Sequence, residues 1–215
     1  MTRWIAGLFA VGSLCFAVGA APSYVDAVGA DTAAVTFFVG SLFFTAAATL
    51  QWLAGRAGPD RRRLDGWAAL VQLAGTLFFN LSTFEAMDDQ LTTTQVDRLV
   101  WTPDARGSVC FLVSSGLAWM AVNHRVWRWR PGSRDWQIAA LNLGGSVAFG
   151  VSAVASYVVP DTAQVRNATL MNLGTFVGAI AFFGGALLLL PTRSARGSAA
   201  EPSTGGAVGG SSSRP

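Results

Sequence analysis

One short signature recurs in every apolar stretch of this chain: a glycine, a second small residue, two further residues and a phenylalanine. It reads Gly12-Ser13 with Phe16, Gly40-Ser41 with Phe44, and Gly75-Thr76 with Phe79. It returns as Gly107-Ser108 with Phe111, Gly145-Ser146 with Phe149, and Gly178-Ala179 with Phe182. About 20 apolar residues cross a hydrocarbon core of roughly 30 Å. In lipid every backbone polar group must be satisfied within its own segment, so each such stretch must be a helix. The spans predicted are Trp4–Ala21, Thr32–Leu53, Trp67–Met87, Ala105–Asn123, Trp136–Val159 and Thr169–Leu190. Composition agrees: 52% of residues are hydrophobic and only 13% charged, against about 25% charge in soluble domains. The expected fold class is an all-α integral membrane protein with six transmembrane helices arranged as three repeated hairpins.

Charge sets the expected orientation. All 15 basic residues are arginines. Arg3, the group Arg56, Arg61, Arg62 and Arg63, the group Arg125, Arg128, Arg130 and Arg134, and Arg193, Arg196 and Arg214 fall on one side of the spans. The other side holds only Arg98, Arg106 and Arg166, with Asp26, Asp31, Asp88, Asp89, Asp97, Asp104 and Asp161. This positive-inside asymmetry predicts both termini in the cytoplasm. It makes the bilayer, and anionic inner-leaflet lipid in particular, the natural partner of the arginine loops, and it argues against a nucleic-acid reading of the high pI. Trp4, Trp52, Trp67, Trp119, Trp127, Trp129 and Trp136 near one set of ends, with Tyr24, Trp101 and Tyr157 near the other, fit interfacial belts. Arg3, the apolar run and Val18-Gly19-Ala20 also fit a cleaved signal peptide. The shared signature favours a retained first span.

The hairpins are expected at about residues 1–55, 64–124 and 135–191, close to three-fold about the membrane normal. Residues 192–215, rich in Gly, Ser, Ala, Pro and Arg, are expected to form a disordered cytoplasmic tail. Gly12, Gly40, Gly75, Gly107, Gly145, Gly174 and Gly178 are the expected helix contact points, because small residues let backbones approach in lipid. Cys15 and Cys110, each three residues past a signature glycine, read as small apolar packers.

Polar side chains inside spans are the candidates for function. Gln72, Asn80, Asn142 and Asn172 could line a polar path; the alternative is interhelical hydrogen bonding. Glu85, Asp88 and Asp89 would share one face of a continuing helix and could hold a divalent cation, with Arg98 and Arg106 as competing partners. Asp104 reads as the N-cap of the fourth span, beginning near Pro103 after an interfacial Leu99-Val100-Trp101. His124 has no partners for a triad or metal site, and no cofactor motif or dedicated metal-ligand set is present.

The blocks Phe37-Phe38-Val39-Gly40-Ser41-Leu42-Phe43-Phe44 and Gly107-Ser108-Val109-Cys110-Phe111-Leu112 resemble the YrhK-like bacterial membrane domain, a small two-helix unit. The resemblance implies up to three copies of that unit and brings no activity to particular residues. The all-arginine, alanine-rich composition fits the cytoplasmic membrane of a high-GC bacterium. Two function classes stay open: a non-enzymatic structural or assembly protein, and a small-solute or cation transporter. A homo-oligomer is compatible with either.

Overall fold

A computed structural model describes residues 1–57, 63–123 and 129–191. Arg61, Arg62, His124, Arg125, Trp127, Arg128 and the tail 192–215 lie outside the described residues. Helix α1 (Thr2–Gly19) leads through the short α2 (Pro22–Val28) into α3 (Ala30–Ala57). Next come α4 (Arg63–Glu85), one turn of α5 (Thr93–Gln95), a π-helical turn (Val96–Trp101) and α6 (Thr102–Asn123). Then α7 (Arg134–Ala155) joins α8 (Ala168–Leu189) through a small antiparallel ribbon of β1 (Val158–Val159) and β2 (Gln164–Val165). Six helices are long and apolar enough to cross a membrane. The protein is an all-α, multi-pass membrane protein.

Packing arranges the six spans in a closed ring. Helix α1 packs on α3, α3 on α4, α4 on α6, α6 on α7, α7 on α8, and α8 back on α1. The antiparallel pairs α1/α3, α4/α6 and α7/α8 are three hairpins side by side. Both ends of the described chain lie on one face of the ring, the termini face. The opposite, loop face carries α2, the π-turn and the β-ribbon. At the α2–α3 corner Gly29 has φ +85°, a conformation that glycine adopts without Cβ strain.

The radial pattern is the reverse of a soluble bundle. Small side chains are inside: Ala6, Ala47, Ala179, Ser13, Ser41, Thr76 and Ser146 are all fully buried. Large aliphatic side chains point outward, with Leu14, Leu77, Val109 and Val147 at least half exposed. Lipid is as apolar as leucine, so no hydrophobic force draws these side chains inward, and close backbone packing by small residues decides the interior.

Two boundaries differ from expectation. The fourth span does not begin at Pro103: one continuous helical run extends from Thr93 to Asn123. Its true start is a capping box, in which Thr92 Oγ1 accepts from the Gln95 backbone N–H and the Gln95 side chain accepts from the Thr92 backbone N–H. Asp104 is therefore inside the span and is not an N-cap. Proline has no N–H to give to an α-helical bond, and the π-turn lies just ahead of Pro103, the kind of local adjustment that such a residue requires. The fifth span ends at Ala155, short of Val159, because Val158 and Val159 pair with the β-ribbon instead.

Candidate functional site

The signature glycines face one another in pairs. A Cβ on Gly12 would lie 2.9 Å from the Gly40 carbonyl oxygen, and one on Gly40 would lie 3.2 Å from that of Gly12. On Gly107 it would meet the Gly75 carbonyl oxygen at 3.1 Å, and Gly75 in turn faces Cys110 and Phe111. Gly145 and Gly178 each place a Cβ about 3 Å from the other's carbonyl oxygen, and Gly174 does the same 2.8 Å from that of Ala148. Each hairpin is thus cinched at mid-height, where no side chain fits. Cys15 and Cys110 are free thiols beside these crossings.

The signature phenylalanines close the centre. Phe16, Phe79 and Phe149, from α1, α4 and α7, form a triangle with ring centroids 6.0–6.3 Å apart. Phe44, Phe111 and Phe182, from α3, α6 and α8, form a second triangle at 5.6–6.3 Å. Hairpin partners join the two: Phe16 with Phe44 at 5.5 Å, Phe79 with Phe111 at 5.1 Å, and Phe149 with Phe182 at 5.6 Å. Helical side chains lean toward their own N-termini. In antiparallel partners the two triangles therefore lean into each other. The result is a prism of six rings on the bundle axis, each at most 6% exposed. Edge-to-face and offset-stacked pairs at these separations add about 0.5–1.5 kcal/mol each beyond burial.

The polar candidates are not brought together; each serves a different helix boundary. Asn80 joins α4 to α3. With its amide turned to satisfy both groups, its oxygen accepts from Thr45 Oγ1 at 2.9 Å and its nitrogen donates to the Ser41 carbonyl at 2.9 Å. Thr83 extends the same network by donating to Ser41 Oγ at 3.0 Å. Gln72 stays within the second hairpin, where Ser114 Oγ is 3.5 Å from its Oε1 and bonds the Ala68 carbonyl at 2.8 Å. Asn142 packs its Oδ1 against Gly185 of α8. Its carbonyl accepts from Ser146 at 2.9 Å and Ser115 at 3.3 Å. Asn172 lines a groove at the α8/α1 boundary, beside Ala21 and Phe176. Along their helices, Gln72 and Asn142 precede the phenylalanine layer on the termini face, and Asn172 lies beyond it on the loop face.

Counting from the signature glycine explains why these contacts differ. Three residues before it stand Phe9, Gln72 and Asn142; seven after it on the partner helix stand Ala47, Ser114 and Gly185. Gln72 meets Ser114 and Asn142 meets Gly185, while Phe9 packs on Phe44. Eight after it stand Ala48, Ser115 and Ala186. Ser115 bonds Ser146 across α6/α7 at 2.6 Å. Ser13, one residue past its glycine in α1, is buried with its hydroxyl unpartnered.

The acidic candidates require a correction. Helix α4 stops at Glu85, so Glu85, Asp88 and Asp89 do not share a helical face. Asp88 Oδ1 accepts from the Gln90 backbone N–H at 2.9 Å, and Asp89 Oδ1 from Gln90 Nε2 at 2.7 Å. Local turn formation thus engages one oxygen of each of these two carboxylates. Among the described residues no three His, Cys, Asp or Glu side chains are grouped to hold a metal. Two acids expected in the outer loop lie on helical elements instead: Asp97 on the π-turn, with its Oδ1 buried without a hydrogen-bond partner, and Asp104 in the first turn of α6. The capping box Thr92-x-x-Gln95 was the signal that would have placed both inside the helix.

No family model matches the chain, and no curated protein or solved structure is significantly similar to it.

Proposed function

We propose that this protein is a non-enzymatic membrane scaffold, a closed bundle with a structural or assembly role in the cytoplasmic membrane of a bacterium. The observation that carries the reading is the phenylalanine prism. A solute pathway along the axis would have to part six mutually packed rings contributed by all six helices. The polar amides support the same reading, since each already has a local partner or niche at a separate boundary. Such contacts are worth about 0.6 kcal/mol each in membranes, which suits stitching rather than a water-filled path. The reading includes both termini in the cytoplasm and three copies of a YrhK-like hairpin. Its support for orientation is the arginine asymmetry, and its support for the copies is the matched glycine and phenylalanine positions.

The test is flux through proteoliposomes loaded with small cations or neutral solutes. A scaffold leaves leakage at the level of protein-free vesicles. Reproducible transport that disappears in Asn142→Leu, with folding intact, would overturn the proposal in favour of a transporter.

A further inference from the structure

The three boundaries between hairpins are built from equivalent positions but are not equally filled. Two residues before the signature glycine of the first boundary helix stand Phe38 in α3, Ala105 in α6 and Phe176 in α8. Nine residues after the glycine of the facing helix stand Phe84 in α4, Val154 in α7 and Ala21 just past the end of α1. At α3/α4 the two phenylalanines meet, centroids 5.6 Å apart, and plug the loop-face half of the boundary. One turn deeper, Asn80 bonds Thr45 there, whereas α6/α7 has Leu112 against Gly150, a Cβ on which would lie 3.3 Å from Leu112 Cδ1. With Ala105, Val154 and Gly150 in place of Phe38, Phe84 and Asn80, the α6/α7 boundary opens into a groove of about 800 Å³.

The groove is apolar along its length and polar at one end. Trp101 forms part of its wall, fixed by an indole N–H bond to the Ala153 carbonyl at 2.8 Å and by edge contact with Tyr157 at 5.0 Å. Arg166 lines the loop-face end. Its backbone N–H is tied to the Tyr157 carbonyl at 2.8 Å, and its side chain is exposed. The α8/α1 counterpart, about 490 Å³, is lined by no cation. A slot that lies between two membrane-spanning helices and ends in a guanidinium at the interface is complementary to a molecule with an apolar chain and an anionic head.

We propose that the α6/α7 groove binds one glycerophospholipid of the loop-face leaflet, with an acyl chain along Ala105, Gly150 and Val154 and the headgroup phosphate on Arg166. Guanidinium and phosphate make charge-assisted, often bidentate hydrogen bonds. The site rests on the membrane reading of the chain but is independent of whether the bundle conducts.

The test uses the full chain in mild detergent, titrated with phosphatidylglycerol in mixed micelles and read by native mass spectrometry. One retained lipid per chain is expected. The double substitution Ala105→Phe with Val154→Phe, which copies the plugged boundary, should abolish that adduct. Arg166→Gln, at an exposed position, should fold as the parent does and bind about fivefold more weakly. The adduct persisting undiminished in both variants overturns the proposal. So does a groove filled by a second copy, seen as a dimer that the double substitution dissociates with no lipid retained by the parent. Should the double variant fail to fold, undiminished binding by Arg166→Gln overturns the headgroup site by itself.

Discussion

Ser13, Thr76 and Ser146 occupy one sequence position in three helices that run from the termini face to the loop face, and all are fully buried. Their energetic roles differ with the neighbour each meets. Ser146 Oγ is engaged by the Asn142 carbonyl and by Ser115. Thr76 closes onto the Leu73 carbonyl at 2.8 Å. Ser13 has no partner among the described residues. An unmade buried hydrogen bond costs about 1 kcal/mol or more, so Ser13→Ala is expected to leave thermal stability in detergent unchanged or raised. Ser146→Ala should lower it, by about 0.6 kcal/mol. Equal losses in both would show that Ser13 finds a partner the structure does not hold. The glycines predict a larger effect. Gly178→Leu has no room beside the Gly145 carbonyl at 3.0 Å, and overpacking costs on the order of 1–3 kcal/mol. Melting and yield equal to the parent would place that face away from its partner helix.

The helix ends show where element-level reading succeeds and where it stops. Six spans were legible because length and apolarity are local properties, readable without knowing any neighbour. The start of the fourth span was misread because Pro103 is a common helix opener. The structure instead carries it within a run begun by the Thr92 capping box. Thr92→Ala should cost about 1 kcal/mol of local stability, visible as faster hydrogen exchange at residues 93–101 with little change in global melting. Unchanged exchange there would mean that the box does not hold the turn. The end of α8 is held by a residue that sequence reading counted only as positive charge. Arg134, opening α7, donates to the carbonyls of Leu188 and Leu190, which the helix itself leaves without donors. Arg134→Gln should therefore loosen the α7/α8 pair on the termini face and lower the melting temperature. A change confined to topology, with melting intact, would restore the simpler charge role.

For the whole molecule, the prism and the orientation make separate predictions. Phe111 is 1% exposed and touches Phe44, Phe79 and Phe182. Truncating such a ring in a packed core costs about 3 kcal/mol or more, so Phe111→Ala should strongly reduce stability, where Phe84→Ala, on an exposed edge, should cost much less. Comparable losses would mean that the centre is not the main source of cohesion. Orientation is read by fusing a reporter active only outside the cytoplasm. Signal is expected after Asp89, on the loop face, and none at the C-terminus; the reverse pattern would invert the bundle.

The sequence by itself determined that this chain spans a membrane, how many helices do so, and that a glycine and a phenylalanine recur at matching heights in each. Those follow from transfer of local segments into lipid and from counting along one helix. Only the tertiary structure decided that the six phenylalanines share one axis, that Asn80, Gln72 and Asn142 are held at three different boundaries, and that Asp88 and Asp89 turn to Gln90. It also decided that the gap between α6 and α7 is open where the gap between α3 and α4 is filled. The Asp88 and Asp89 contacts are local, but the others depend on pairs of residues tens of positions apart, such as Phe38 with Phe84 or Trp101 with Ala153. Which helix stands beside which is set by the fit of whole surfaces around the closed ring, and no local segment encodes it.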